Sequence, residues 1–116
     1  MRPEERDPAY LWDMNEAARS VREFMSGVAA QRYQSDKMLR SAVERQIEII
    51  GEAAAHISAE FRARHPQVPW QKIIGQRNVL AHEYGEILDE RIYQLAVRDI
   101  PELLVMLEAI ITDVRP

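Results

Sequence analysis

A stripe of apolar side chains at spacings of three and four dominates the middle of this chain. Met38, Leu39, Ala42, Val43, Ile47, Ile50, Ala54, Ile57 and Phe61 recur at the period of an α-helix, and Ser35 can cap the helix they line. The rest of the chain repeats that period, and nothing alternates as a strand would. After "RDP", Asp7 as cap and Pro8 at the first helical position start a helix carrying Leu11, Met14, Ala18, Val21, Met25 and Val28, expected to end near Ala30. "HPQVPW" breaks the long stripe, because a residue before proline is pushed out of the helical region, and Pro69 can open a third helix from Trp70. Its apolar set is Trp70, Ile73, Ile74, Leu80 and Ala81, interrupted by Gly75, with Gly85 as the expected stop. Asp89 is then expected to cap a last segment with Ile92, Leu95, Ala96, Ile100, Leu103, Leu104, Leu107, Ile110 and Ile111. There Pro101 must kink the helix or divide it. Short connections make an antiparallel all-α bundle the expected architecture, and 116 residues form one domain, 1–116. Within "IIGEAAAHIS", Gly51 and the alanines after it leave a small-residue surface against which another helix is expected to pack closely.

Composition removes several kinds of chemistry. With no cysteine, disulfides, thiolate zinc sites and a cysteine nucleophile are excluded, so histidine and hydroxyl chemistry remain. No apolar run approaches the roughly 20 residues that span a bilayer. The charged start "MRPEERD" is unlike a signal peptide, and the cytoplasm is the expected compartment. A net charge of -4 argues against a protein that coats nucleic acid through overall positive charge. The distribution is uneven, however. Residues 62 to 82 hold Arg62, Arg64, Lys72 and Arg77 with no acid, whereas residues 85 to 116 hold seven acids against three arginines.

The positive window contains "RNVLAHEYG", Arg77 to Gly85. On a continuous helix Arg77 and Tyr84 share a face within about 20 degrees, while His82 lies about 140 degrees round from Arg77. One copy therefore needs an unwound helix end or a groove that wraps the helix; two copies meeting across a two-fold axis remove the difficulty. The residue types suit phosphodiester cleavage without metal. A histidine can take a proton from a ribose 2′-hydroxyl or return one to the leaving oxygen, and a guanidinium can hold the charged phosphorus centre. Plain structural roles stand beside these: Arg77 as a surface ion-pair partner, His82 as a helix C-terminal residue favoured by the dipole, Tyr84 as an edge of the core. His56 reads as a packed or edge residue and His65 as part of a turn. No histidine pair stands at ligand spacing with a carboxylate, and there is no glycine-rich phosphate loop or serine elbow, so neither metal nor cofactor is expected.

"IIGEAAAHIS", then "PQVPWQKIIGQRNVLAHEYG", then "DIPEL" resembles the HepT-like HEPN proteins, the toxin halves of bacterial and archaeal toxin-antitoxin pairs, over about residues 35 to 107. The most specific part is an Arg-x4-His-x-Tyr pattern met by Arg77, His82 and Tyr84, with Asn78 completing an Arg-Asn pair. The resemblance implies a four- to five-helix bundle that dimerises with its motifs facing. It implies a metal-independent endoribonuclease in which Arg77 and His82 are catalytic and Asn78 and Tyr84 support them, acting on tRNA or mRNA. It also implies neutralisation by a minimal nucleotidyltransferase antitoxin that attaches AMP to Tyr84. Negative charge and bulk beside His82 and Arg77 would block the place of the RNA phosphate. The segment "GEILDERIYQLA" after the motif is more acidic than the family pattern, which implies a different cleft rim. The alternative is a non-catalytic helical subunit that only binds a nucleotidyltransferase; a plain dimerisation module would explain the core but not the motif.

Overall fold

The computed structural model describes residues 3–82 and 85–114; the expectations for Glu83 and Tyr84 fall outside the described residues. A 3-10 turn, Pro3–Arg6, leads into α1 (Asp7–Met25), followed by α2 (Ala30–Ser35), α3 (Lys37–His56), α4 (Ala59–Arg64), α5 (Trp70–His82) and α6 (Gly85–Gln94). A π-helical turn, Leu95–Asp99, then joins α6 to α7 (Ile100–Val114). Among the described residues there is no strand, as the periodicity requires. The long α3 is the central rod: α1 packs along it on one side and α5 on another, and α7 lies against α1. Leu11, Met14 and Val21 of α1, Val43, Ile47 and Ile50 of α3, and Leu104 and Leu107 of α7 form the centre of the core. The fold is the expected all-α bundle, with short α2 and α4 added between its long rods. Among the described residues no helix is long and apolar enough to cross a membrane.

Several boundaries differ from expectation for local reasons. The first helix stops at Met25, because Gly27 adopts a φ of 72°, the left-handed region that ends helices. Asp36, not Ser35, caps α3: its carboxylate accepts from the Leu39 amide at 3.0 Å, and Ser35 closes α2. The long stripe is two helices rather than one, since α3 ends at His56 and Ser58 caps α4 by accepting from the Phe61 amide. Met38, expected on the apolar face, is 83% exposed. Asp89 does not cap the last segment either, because α6 already begins at Gly85, which also has a positive φ of 67°. Pro101 divides the final helix as expected. It cannot donate to the carbonyl four residues back and its ring crowds that carbonyl; the π turn before it widens the spiral, with the Ile100 amide donating to the Leu95 carbonyl.

Asp7 does not cap its own helix. It is buried, and its carboxylate accepts from both the Ser58 amide (2.8 Å) and the Ser58 hydroxyl (2.7 Å), tying the start of α1 to the α3–α4 turn. At another corner, α6 docks through an Arg40–Asp89 ion pair at 3.7 Å, a Tyr33–Tyr93 ring contact, and a hydrogen bond from the Tyr93 hydroxyl to the Val28 carbonyl. Burial pushes the Tyr33 phenol well above its ordinary range, and the nearby Glu44 and Asp89 carboxylates add to this. Burial also raises Glu44, with Asp89 adding to the effect and Arg40 opposing it.

The small-residue surface of α3 is occupied within the chain. A Cβ placed on Gly51 would stand 3.0 Å from the Arg77 Cγ and 3.3 Å from the Ile73 carbonyl oxygen, both on α5. Ala53 and Ala54, the next small residues, are buried. The absence of a side chain at position 51 is therefore what lets α5 lie so close to α3.

Asp7→Ala should cost about 1.5–3 kcal/mol of unfolding free energy, the usual range for a buried hydrogen-bonded carboxylate. Urea titrations of both proteins check this, and superimposable curves would mean that the Asp7–Ser58 contact contributes nothing. A second comparison separates intrinsic helix preference from crowding. At Gly75, where an added Cβ meets nothing within 4 Å, alanine should gain up to about 1 kcal/mol. At Gly51 the same substitution should lose about 1 kcal/mol, because crowding against a backbone carbonyl outweighs the preference. Equal gains at both positions would show that α3 and α5 are not in close contact.

Candidate functional site

The residues singled out in the sequence stand on α5, which is continuous α-helix from Trp70 to His82. The helix is anchored at its start. The Trp70 indole donates to the His65 carbonyl at 2.9 Å, and Trp70 and Ile73 are buried. Beyond Ile73 its hold on the core loosens: Ile74, Val79 and Leu80 are half-buried and Ala81 is exposed, although Ile74, Leu80 and Ala81 belong to the expected apolar face. The half of α5 that carries the motif is thus covered on the α3 side and open elsewhere.

The stem of Arg77 lies across Gly51, since the missing Cβ there would meet both its Cγ and its Cδ. Arg77 and Asn78 line an open groove of about 750 Å³ between α5 and α3, with Gln71 and Ile74 further along α5 and Glu48 and Glu52 on the α3 wall. Glu48 is held by Arg45 at 2.8 Å. Among the described residues Arg77 has no ion pair or hydrogen bond, so its expected alternative role as a surface ion-pair partner finds no acid in contact with it.

His82 is brought to a different place. It is the last residue of α5, exposed, and does not line the Arg77 groove. That is the separation of about 140 degrees that a continuous helix imposes. One chain therefore gathers Arg77 with Asn78 and leaves His82 off to the side, while Tyr84 lies outside the described residues.

The other histidines are placed structurally. His56 is exposed, its Nδ1 2.8 Å from the Glu52 carbonyl and its ring beside Tyr10; His65 caps the end of α4 with its ring on Phe61. Among the described residues no three His, Asp or Glu side chains converge as metal ligands do. A more enclosed hollow of about 90 Å³, bounded by Ile50, Ile73, Leu95 and Leu103, contains none of the motif residues. Sequence reasoning missed Glu48, Glu52 and Gln71 as groove residues. The four-residue interval between the two glutamates put them on one face of α3, but nothing in the sequence said that α5 would be the helix beside them.

The family model described as "Ribonuclease HepT-like" matches residues 14–110. Among known proteins, "Putative RNase MJ1380" of Methanocaldococcus jannaschii is 38% identical over 95 residues, covering 82% of this chain and 87% of that one. "Probable ribonuclease HepT" of Thermococcus cleftensis is 34% identical over 94 residues, covering 81% of this chain and 86% of its own. No solved structure matches the chain. An all-helical bundle, a family match over most of its length, and relatives of the same size together place this chain in the HepT-like ribonuclease family.

Proposed function

We propose that the protein is the toxin of a toxin-antitoxin pair, a metal-independent endoribonuclease whose cleavage site is shared between two copies of the chain. The observation that carries the reading is the division on α5. Arg77, with no ion pair among the described residues, lines a groove with Asn78, and His82 projects from the same helix outside that groove. A two-fold partner that packs on the open half of α5 brings its own His82 to this Arg77, and the reverse. Ile74, Val79 and Leu80, half-buried in one chain, supply apolar surface for that contact.

Within the shared cleft the neutral His82 imidazole accepts the proton of a ribose 2′-hydroxyl. The 2′-oxygen attacks phosphorus, the bond to the 5′-oxygen breaks, and the proton returns to that leaving oxygen. The products are a 2′,3′-cyclic phosphate and a 5′-hydroxyl. Arg77 holds the phosphorus centre as negative charge develops on its oxygens, and Asn78 adds a donor beside it. An imidazole ring has the chemistry for both proton transfers, since one ring can accept a proton and later return it. Tyr84 supports the site and is the residue on which a nucleotidyltransferase antitoxin places AMP, at the expense of ATP with release of pyrophosphate. The added charge and bulk then occupy the phosphate position.

Expression without any antitoxin tests the enzyme. Wild type should arrest growth and cleave RNA, and the purified protein should keep its activity in EDTA. Arg77→Ala and His82→Ala should each lose on the order of 10²-fold or more while melting like wild type. Unchanged cleavage in both variants would move the site elsewhere, EDTA-sensitive cleavage would end the metal-free mechanism, and no cleavage by wild type would select the non-catalytic binding subunit. Modification is tested separately. Incubated with a cognate nucleotidyltransferase, ATP and magnesium, wild type should gain the mass of AMP and Tyr84→Phe should not. Equal labelling of the two would place the acceptor elsewhere.

A further inference from the structure

A second groove, of about 570 Å³, opens between α4 and the start of α5. It adjoins the Arg77 groove at Gln71, which lines both, so the two grooves lie in succession along α5. The charged side chains lining this second groove are Arg62 and Lys72; among the described residues no carboxylate lines it, in a protein whose net charge is -4. Its floor is rigid and apolar, made by Val68, Pro69 and Trp70, and the Trp70 indole is held by the His65 carbonyl. Lys72 is partly neutralised by Asp99 at 3.3 Å, behind the groove. Among the described residues Arg62 has no ion pair, and its Nε, closed off from solvent, has no acceptor.

We propose that this groove is a substrate subsite, in which Arg62, assisted by Lys72, holds backbone phosphates of single-stranded RNA flanking the bond to be cut. The inference rests on the ribonuclease reading of the Arg77 groove and extends it along the helix. From Gln71, common to both grooves, to Arg77 the helix rises about 9 Å, so a strand reaching from one groove into the other places different phosphates at the two arginines. Separate cations lining adjoining grooves suit a phosphate backbone, which carries one negative charge per nucleotide whatever its sequence. The wall of this second groove, acid-free among the described residues, decides between ligand classes: a basic peptide would be repelled here, and an apolar one would leave Arg62 uncompensated. Two copies give two such grooves, each leading away from one of the two composite sites. The positive window of the sequence, residues 62 to 82, supplies the cations of both grooves.

The test uses a single-stranded 2′-O-methyl oligoribonucleotide of about ten nucleotides, which binds but cannot be cut because the attacking hydroxyl is blocked. Affinity of the full-length protein is measured over a range of salt concentrations. Arg62→Gln should bind about fivefold more weakly at low salt, with the slope of log affinity against log salt shallower by about 0.7 for each phosphate the protein no longer neutralises. Arg62→Lys should restore the slope, because it restores the charge. Arg19→Gln, on α1 and lining neither groove, should match wild type and removes the same formal charge. Wild-type affinity and slope in Arg62→Gln, an equal loss in Arg19→Gln, or no binding by wild type would each overturn the subsite. Cleavage assays on ordinary RNA keep the two readings apart. If His82→Ala still cuts while Arg62→Gln binds weakly, the subsite stands and the assigned cleavage site fails. If His82→Ala is dead while Arg62→Gln binds normally, the reverse holds.

Discussion

Where α3 and α5 cross, the contact is made at a position without a side chain. Gly51 leaves room for the Ile73 carbonyl and the Arg77 stem to approach to distances at which a Cβ would be crowded. Much of the surface chemistry depends on that approach. It lays Arg77 along α3, so that its charged end opens into the groove bounded by Glu48 and Glu52 rather than into bulk solvent alone. Because α5 is regular up to His82, the orientation of Arg77 also determines that of His82, about 140 degrees away. A larger residue at 51 would move the helix, and with it both side chains.

The helices could be read from the sequence because their cause is local. Spacings of three and four, Pro69 before Trp70, and Pro101 within the last segment act over one or two turns. Expectation failed where distant groups decided the outcome. Asp7 has the chemistry of an N-cap for α1, yet a bond to Ser58, fifty-one residues away, uses its carboxylate instead. Ser35 and Asp36 both have capping side chains, but Ser35 donates back to the Arg32 carbonyl while Asp36 accepts from the Leu39 amide. The GEAAA surface correctly announced a close neighbour, but its small residues are consumed by contacts inside the chain and do not themselves argue for a second copy. For the candidate site, the pattern of Arg77, Asn78 and His82 could be noticed because it lies within six residues of sequence. The α3 wall, formed by Glu48 and Glu52, could not, since it exists only after two helices pack.

Charge follows the same division. Overall the chain is acidic, which alone speaks against binding nucleic acid. Folding separates the signs locally. Arg45 engages Glu48, Asp99 draws on both Lys72 and Arg98, and Arg40 engages Asp89, while Arg77 and Arg62 have no acid partner among the described residues. Those two arginines line adjoining grooves that share Gln71. A ribonuclease needs local positive potential where the phosphate lies, not a positive total, and an acidic remainder limits indiscriminate binding.

The central claim is that Arg77 of one copy works with His82 of another. A mixed dimer tests it directly: Arg77→Ala and His82→Ala chains, carrying different tags, are co-expressed and the heterodimer is isolated through both tags. Each parent homodimer should be inactive. In the mixed dimer one cleft combines both alanines, and the other combines an intact Arg77 with an intact His82, so cleavage should return to on the order of half the wild-type rate. A mixed dimer as inactive as its parents would place both residues of each site within a single chain and contradict the account.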